Sequence, residues 1–473
     1  MNKKSVCIIG SGIAGSGIAA LLAHSGTYQV DLYEKNKKVG GRFSAYSPKK
    51  GYNLDIGIHG ITQTYIGKIG QLLSKIEAQD LVEWNVFDKP VTLFKKGVGW
   101  VNYPEDIGKL GFSDDDLTQI MDFMGNTLAI PVDKVDEYNH ISLREQIDKY
   151  IKDERAQNLF AFMAALAFVI PSQDVPVGEW SIAERGIQEH RAVGYPLGGT
   201  GAIPEAFVSV LKDRGGRLIT GKTVKRIMVE SKTAVGVEFK DGSTKDYDII
   251  ISNAGSKEDI HLVGKEKYDN QEYIQKMESM EYSKTIYSVR VGLDKTVIDK
   301  EKDIVMYLGS EDELTEMFER ASVYEGVYEE VPQVMPALMI PILSNIDPNA
   351  CPEGKQTLTM GCWCSDPLDT PKERLNLWKE ACVKTLETIW PGIHEHVEWV
   401  DTTSPAQYAK MFGENGNVIG IAQKIGQVGK DRPPIVDPEI ENFYHCSADT
   451  GLHGVGGELA SDSAMRLFEI LER

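Results

Sequence analysis

The residues that first suggest chemistry form a glycine-rich turn, Gly10-x-Gly12-x-x-Gly15. Residues 5–9 before the turn are apolar and β-branched, and residues 13–24 after it are rich in alanine and leucine. That order predicts a strand, a tight turn and a helix. In such a unit the first glycine permits the turn, the second lets the backbone approach a pyrophosphate, and the third lets the helix lie close to the strand. The pattern therefore predicts that this segment binds a dinucleotide.

Two features next to the turn strengthen that prediction. The helix begins with Ile13 and Ala14, so that the backbone amides of its first turn and the helix dipole would face a phosphate group. Residues 29–33 read as a second strand, which ends at Glu34 and is followed by Lys35. A carboxylate at that spacing accepts both hydroxyls of an adenosine ribose.

A second glycine pair follows the acid. Residues 35–44 read K-N-K-K-V-G-G-R-F-S, in which Gly41 precedes Arg42. Here the sequence resembles the FAD-binding branch of flavoproteins that includes amine oxidases, protoporphyrinogen oxidase and phytoene desaturases. The resemblance implies that the backbone at Gly41 passes beside the cofactor and that Arg42 offers a fork of donors to its pyrophosphate. It also places His59 where the chain of that family passes the flavin, with a histidine that caps a loop as the alternative.

The middle of the chain contains a second part of the resemblance. Residues 195–229 combine the run Y-P-L-G-G-T-G, a predicted helix over 203–214, a glycine pair and a strand that includes Val224. In the family, a valine at this place contacts the adenine through its backbone groups. Residues 248–254 resemble the family's strand that returns to the cofactor, and they include Asn253. Each strand is ordinary when taken alone, but their order and spacing favour a role in cofactor binding.

The third part of the resemblance lies near the end of the chain. Residues 446–460 read C-S-A-D-T-G-L-H-G-V-G-G-E-L-A, which gives an acid after a strand, a glycine-rich loop and a helix. The resemblance implies that Asp449 binds the ribityl hydroxyls. It also implies that Gly456 leads into the amides of Gly457 and Glu458, which would face the C2 carbonyl of the flavin. Those donors and the helix dipole stabilise negative charge on the reduced ring.

The cofactor that these parts imply is FAD. It would be held without a covalent bond, because Cys446 precedes the acid and does not stand where the family has its cysteine anchor. Residues 195–225 and 449–458 look most like phytoene desaturases and the related polyprenyl or retinol saturases. Those enzymes add or remove hydrogen across a C–C bond of long apolar isoprenoids. His453 is then the candidate for catalytic proton transfer or substrate contact, and a structural loop histidine is the alternative.

The same fold leaves two other function classes open. An amine or other small-molecule oxidase is the first, although no aromatic residue that could cage an amine stands between Asp449 and Glu458. The second is a non-enzymatic carrier of prenylated proteins, related to the Rab-escort and GDP-dissociation-inhibitor proteins. That branch has lost the flavin, whereas Gly12, Glu34 and Arg42 are all present here.

Composition restricts the partners of the chain. It has 70 acidic and 51 basic residues and a formal charge of -19, which disfavours a nucleic-acid partner. The longest apolar run, residues 159–171, is shorter than the about 20 residues that span a bilayer as a helix. It predicts a buried helix, with an apolar substrate channel or peripheral membrane contact as alternatives. The cysteines are sparse and no zinc set accompanies Cys362 and Cys364, so we expect reduced cysteines, no metal site and a cytoplasmic location. The electron acceptor or donor and the oligomeric state are left open.

Several elements must position these residues. Residues 112–124 and 143–168 each read as helical, and residues 458–472 read as a final helix. The pair Asp241-Gly242 predicts a hairpin turn that leads to a strand over residues 247–251.

Together these features predict an α/β flavoprotein of the two-dinucleotide-binding-domain type. A discontinuous Rossmann-like FAD-binding domain would comprise residues 1–75, 195–285 and 430–473, which contain all three parts of the resemblance. Residues 76–194 have mainly helical patterns, and residues 286–429 have a mixture of strand, helix and loop patterns. They would form a mixed α+β substrate-binding domain that is inserted into the first.

Overall fold

A computed structural model provides the structure of the protein. It describes residues 3–57, 60–88, 91–188, 191–322, 331–363, 368, 370–413 and 416–473. His59, a predicted cofactor residue, and Cys364 lie outside the described residues.

The described residues form nineteen strands and fourteen α-helices, which are numbered here in chain order. The strands are β1 Lys4–Ile9, β2 Tyr28–Glu34, β3 Ala45–Tyr46, β4 Leu54–Asp55, β5 Trp84–Val86, β6 Thr92–Lys95, β7 Gly99–Asn102, β8 Gly194–Pro196, β9 Arg217–Thr220, β10 Val224–Glu230, β11 Thr233–Phe239, β12 Thr244–Asp246, β13 Ile249–Ser252, β14 Ile286–Leu293, β15 Ile304–Leu308, β16 Ala337–Pro341, β17 Gln356–Trp363, β18 Val397–Thr403 and β19 Phe443–His445. The helices are α1 Ile13–Ser25, α2 Lys68–Lys75, α3 Asp114–Leu128, α4 Leu143–Tyr150, α5 Glu154–Phe168, α6 Val177–Gln188, α7 Ala202–Asp213, α8 Ser256–Val263, α9 Gln271–Ser279, α10 Glu311–Ser322, α11 Leu343–Ile346, α12 Lys372–Ile389, α13 Pro405–Phe412 and α14 Gly457–Leu471.

A five-stranded parallel sheet in the order β19-β13-β1-β2-β9 forms the centre of the first core. Val6 and Ile8 of β1 point to one face, where they pack with α1, α7 and α14. Cys7 and Ile9 point to the other face, against β10, β11 and helices α8 and α9. Both faces are covered, which explains why β1 reads as a continuous apolar run rather than an alternating one. The predicted Rossmann-like α/β architecture is confirmed.

A second, seven-stranded sheet has the order β18-β14-β17-β16-β15-β6-β7 and is mostly antiparallel. Helix α12 covers it, with Trp378 fully buried among the side chains of β14, β15 and β17. Helices α3 to α6 form a separate apolar cluster around Phe123, Phe160 and Trp180. This mixed α+β part alternates along the chain with the parallel sheet, as expected for an inserted domain. The residue limits given above for the two domains stay a prediction.

Two element predictions are wrong in detail. Residues 143–168 form two helices rather than one, because Ile151 is extended and the Asp153 carboxylate caps α5 by accepting from the amides of Arg155 and Ala156. The turn at Gly242 connects β11 to the short strand β12, and the predicted strand over 247–251 belongs to the parallel sheet as β13.

The apolar run 159–171 forms most of α5 and the turn after it. Its side chains lie in two apolar clusters on different sides of α5. Phe160 belongs to one cluster and Leu159 to the other. In the described part of the chain, no helix has the length and apolar character needed to cross a membrane.

Candidate active site

The carboxyl ends of the parallel strands bring the predicted cofactor residues together. Ile9 at the end of β1 lies in register with Tyr33 of β2 and with Ser252 of β13. Ser252 in turn lies in register with His445 of β19. The segments that follow these strands therefore meet at one edge of the sheet, which is where open α/β sheets bind their ligands.

The glycine-rich turn is tight enough that side chains have no room in it. Gly10 has a φ of +92° and donates its amide to the Tyr33 carbonyl at 2.8 Å. A Cβ on Gly12 would lie 2.6 Å from Oδ1 of Asn253, and a Cβ on Gly15 would collide with the Gly10 carbonyl oxygen. Asn253 is fixed against the turn, because its backbone amide donates to Ile9 at 2.7 Å and its side chain to Cys446 at 2.8 Å. A dinucleotide fits this cradle of bare backbone.

Glu34 is placed as predicted, at the end of β2 and beside the turn. The side chain is buried, and its carboxylate accepts from the amide and hydroxyl of Ser11 at 3.0 and 2.6 Å and from the Asn36 amide at 2.8 Å. Lys35 is exposed at the rim. Ser11 occupies an unspecified position in the glycine motif, so the motif alone did not identify it as the partner of Glu34.

The second glycine pair also reaches the turn. Gly40 donates its amide to the Ser11 carbonyl at 2.8 Å and forms a parallel bridge with Gly12. Gly41, with a φ of +56°, follows directly. Arg42 donates from Nε to the Asn417 carbonyl at 3.2 Å and from Nη2 to Oδ1 of the same residue at 3.0 Å. Asn417 was not identified from the sequence, because it lies far along the chain in a loop without a recognisable motif.

The middle segment is fastened to the first one by Asp55. Its carboxylate accepts from the amide and hydroxyl of Thr200 at 3.0 and 2.8 Å and from the hydroxyl of Tyr195. The fully buried Arg290 of β14 donates to the carbonyls of Asp55 and Ile56 at 3.2 and 2.8 Å. The second sheet thus holds the strand that leads toward the predicted flavin.

Val224, the predicted adenine contact, begins β10. It is buried, pairs with Phe239 of β11 and is followed by an irregularity in the ladder before Arg226. Its role toward the adenine stays a prediction.

Asp449 is buried, and protein donors already occupy part of its carboxylate. Oδ1 accepts from the Ile421 amide at 2.8 Å and Oδ2 from the Ser256 amide at 2.9 Å. Each carboxylate oxygen has about two acceptor sites, so the geometry leaves one on each oxygen for a hydroxyl. The residue therefore anchors two neighbouring segments and retains the capacity that its predicted role needs.

Arg432 holds the loop that contains Asp449 through hydrogen bonds to main-chain carbonyls. Its guanidinium donates to the main-chain carbonyls of Asp449 at 2.9 Å, Ala448 at 2.8 Å and Gln427 at 3.2 Å. The side chain is buried, and burial lowers the pKa of Arg432. Among the described residues it forms no ion pair with a carboxylate. The sequence analysis missed Arg432, since an arginine in an irregular stretch reads as a surface residue.

The final helix begins at Gly457, as the third motif requires. Gly456 has a φ of +55°, and a Cβ on Gly457 would lie 2.5 Å from the ring of Phe43. The expectation for Glu458 is wrong in part, because its amide donates to the Val455 carbonyl at 3.1 Å and is not free for a flavin. Its side chain turns away and caps α2 by accepting from the Lys68 amide. Burial raises the pKa of the Glu458 carboxyl to about 7, against the opposing effect of that backbone hydrogen bond.

His453 meets a buried acid that the sequence analysis missed. Its Nδ1 lies 2.8 Å from Oε1 of Glu179, the third residue of α6. Burial alone would lower the pKa of His453, but the hydrogen bond and the negative charge of Glu179 outweigh it and raise the pKa. Among the residues that the structure describes, no protein group bonds to Nε2. The imidazole is thus oriented at one nitrogen and available at the other.

Fold and site together define an FAD-binding α/β flavoprotein of the two-dinucleotide-binding-domain type. The chain belongs to the family of flavin containing amine oxidoreductases, whose model matches residues 13–464, and it is an FAD-dependent oxidoreductase. This confirms the family, the cofactor and the enzyme class that the sequence predicts.

Two proteins of similar sequence and one solved structure are similar to this chain over most of its length. A 4,4'-diaponeurosporene oxygenase of Staphylococcus haemolyticus is 22% identical over 460 residues, which cover 89% of this chain and 88% of that protein. A zeta-carotene-forming phytoene desaturase of Myxococcus xanthus is 20% identical, with coverage of 94% and 90%. The crystal structure of an oxidoreductase from Methanosarcina mazei has a TM-score of 0.74 at 20% identity, and the match covers 98% of this chain and 100% of that one. A structural likeness at that identity shows the fold alone.

Proposed function

We propose that this protein adds or removes hydrogen across a C–C bond of an apolar, isoprenoid-like substrate, with FAD as the redox group. The observation that carries the proposal is that relatives named for carotenoid chemistry match the chain over about nine-tenths of its length. The buried position of α5 favours a structural role for residues 159–171, so that apolar run adds no support.

The residues that would hold FAD are those at the carboxyl edge of the parallel sheet. We assign the pyrophosphate to the turn Gly10 to Gly15 and to Arg42, the adenosine ribose to Glu34, and the ribityl chain to Asp449. Further contacts in this assignment come from the remaining predicted positions, Ile13, Ala14, Lys35, Gly41, Val224, Asn253, Gly456 and Gly457. When bound, FAD accepts or donates a hydride at the N5 atom of its flavin ring.

His453 is the group that we propose to move the proton. In the desaturating direction, Nε2 of neutral His453 would take the proton from the carbon next to the one that gives up a hydride. In the saturating direction, protonated His453 would return that proton to the same carbon. Nε2 suits both tasks, because Nδ1 is engaged by Glu179 and the side chain is only 27% exposed.

The alternative of an amine oxidase rests on the same fold. The loop of residues 449–458 offers no aromatic side chain to an amine. Buried acids of this region, among them Glu179 and Asp449, are already hydrogen-bonded to protein groups. These observations favour the C–C bond chemistry.

Anaerobic mixing tests the proposal. The protein with bound FAD is mixed with phytoene in detergent micelles, and in parallel with benzylamine, while flavin absorbance is followed. We expect phytoene, or the reverse reaction of the prereduced protein with a conjugated carotenoid, to change the flavin spectrum. Rapid bleaching by the amine together with no response to either isoprenoid would overturn the proposal.

A further inference from the structure

We propose that Glu179 is a positioning residue for His453: it fixes the proton on Nδ1 and so leaves Nε2 as the atom that exchanges a proton with the substrate. The inference rests on the proposed function in one respect, namely that His453 acts on a substrate. The contact joins α6 to the loop between β19 and α14, which lie 274 residues apart at these two positions.

The packing of α6 brings the acid into place. A Cβ on Gly178 would collide with the backbone carbonyl oxygen of Val135, so only glycine at that position allows α6 to approach the segment before it. The Glu179 side chain is fully buried as a result, and Asn139 donates to Oε1 at 3.4 Å. On the other oxygen, Gly454 and Gln423 donate at 3.4 and 3.5 Å. These three contacts are long, whereas the contact with His453 is short.

The charges of Glu179 and His453 determine which ring nitrogen of His453 carries a hydrogen. A buried carboxylate is strongly unfavourable unless it is paired, and among the described residues His453 is its ion-pair partner. Because an ionised carboxylate only accepts, a hydrogen bond at 2.8 Å requires that Nδ1 carries a hydrogen in both charge states of the ring. Gain and loss of a proton are then confined to Nε2.

Other charged groups act on the same pair. His453 also experiences the negative charges of Asp136 and Asp462, and Glu179 lies near the buried guanidinium of Arg432. The negative charges of Asp136 and Asp462 favour the protonated ring of His453. These carboxylates and Glu179 therefore stabilise the charged form of His453.

Histidine NMR tests this assignment without any substrate. The protein with bound FAD is labelled at histidine with ¹⁵N, and the signals of His453 are identified from their loss in His453→Gln. In the native chain we expect the neutral ring to be protonated at Nδ1. In Glu179→Gln we expect the pKa of His453 to fall by about one to three units, because an opposite charge in contact shifts a pKa by that much.

Glu184→Gln is the matched control. Glu184 lies on the same helix and is equally buried, but its carboxylate accepts a hydrogen bond from the side-chain amide of Gln188 at 3.4 Å. The control should leave the pKa of His453 unchanged. An unchanged pKa in Glu179→Gln, or a neutral ring protonated at Nε2 in the native chain, would overturn the inference. The second outcome does not require Glu179→Gln, so it decides the matter even where that variant does not fold. Neither outcome depends on whether phytoene reacts, which tests the proposed function separately.

Discussion

Replacing Gly15 by alanine tests whether the turn at residues 10–15 holds the cofactor. A Cβ built on Gly15 would lie well inside 3.0 Å of the Gly10 carbonyl oxygen, a distance that real Cβ atoms essentially never cross. That oxygen belongs to backbone with little freedom, because Gly10 has a φ of +92° and its amide is bonded to Tyr33. The start of α1 must therefore move away from the turn.

The expected effect follows from two opposing contributions. Overpacking of a tight site costs about 1–3 kcal/mol. Alanine in place of glycine inside a helix offsets about 1 kcal/mol of that cost in stability but does not restore the geometry of the turn. Since every 1.4 kcal/mol corresponds to about tenfold in affinity, we expect Gly15→Ala to weaken FAD binding about tenfold or more.

Gly17→Ala is the control, because it makes the same change two residues further along α1. The nearest atom to its new Cβ is Cδ1 of Leu72 at 2.9 Å, which is the end of a flexible side chain and moves easily. Both variants are titrated with FAD as apoproteins by fluorescence, with circular dichroism to establish that they fold. A folded Gly15→Ala variant with native FAD affinity would refute the reasoning, and so would an equal loss in both variants.

Two further predictions concern buried charges. Arg432→Met leaves the carbonyls of Ala448 and Asp449 without their donors. We therefore expect the free energy of unfolding in urea to fall by about 1–3 kcal/mol and FAD to be released faster, with Arg432→Lys intermediate. A methionine variant with native stability and native FAD release would contradict this. For Glu184, burial raises the carboxyl pKa from 4.5 to about 7 against the hydrogen bond of Gln188, so the native chain loses stability as the pH rises through that range. Glu184→Gln removes this dependence and should be more stable than the native chain at pH 8 by about 3 kcal/mol, at 1.36 kcal/mol per pKa unit, with no such gain at pH 4. Parallel slopes of unfolding free energy against pH would contradict the second prediction.

The sequence was informative wherever a local pattern has one structural consequence. The spacing of Gly10, Gly12 and Gly15 requires a strand, a turn and a helix, and the structure has them at the expected residues. The position of Glu34 followed from the length of the second strand. The start of the last helix near Gly457 followed from the glycine-rich loop before it.

The partners of these residues could not be predicted, because they come from distant segments. Glu179 reads as a polar residue of an amphipathic helix, and only the tertiary packing buries it against His453. Asn417 and Arg432 lie in irregular chain without a motif, yet they bond to Arg42 and to the Asp449 loop. Their roles depend on which loops meet at the edge of the sheet, and a single sequence does not contain that information.

Mass spectrometry of the isoprenoid after a single anaerobic turnover tests the central proposal most directly. The protein with bound FAD is mixed with a stoichiometric amount of phytoene, and the extracted lipid and the flavin spectrum are measured on the same sample. The account predicts that the lipid loses two hydrogens for each flavin that is reduced, or gains two from a conjugated carotenoid for each flavin that is oxidised. An unchanged lipid in both directions, with an amine converted to its imine or carbonyl product by the same preparation, would contradict it.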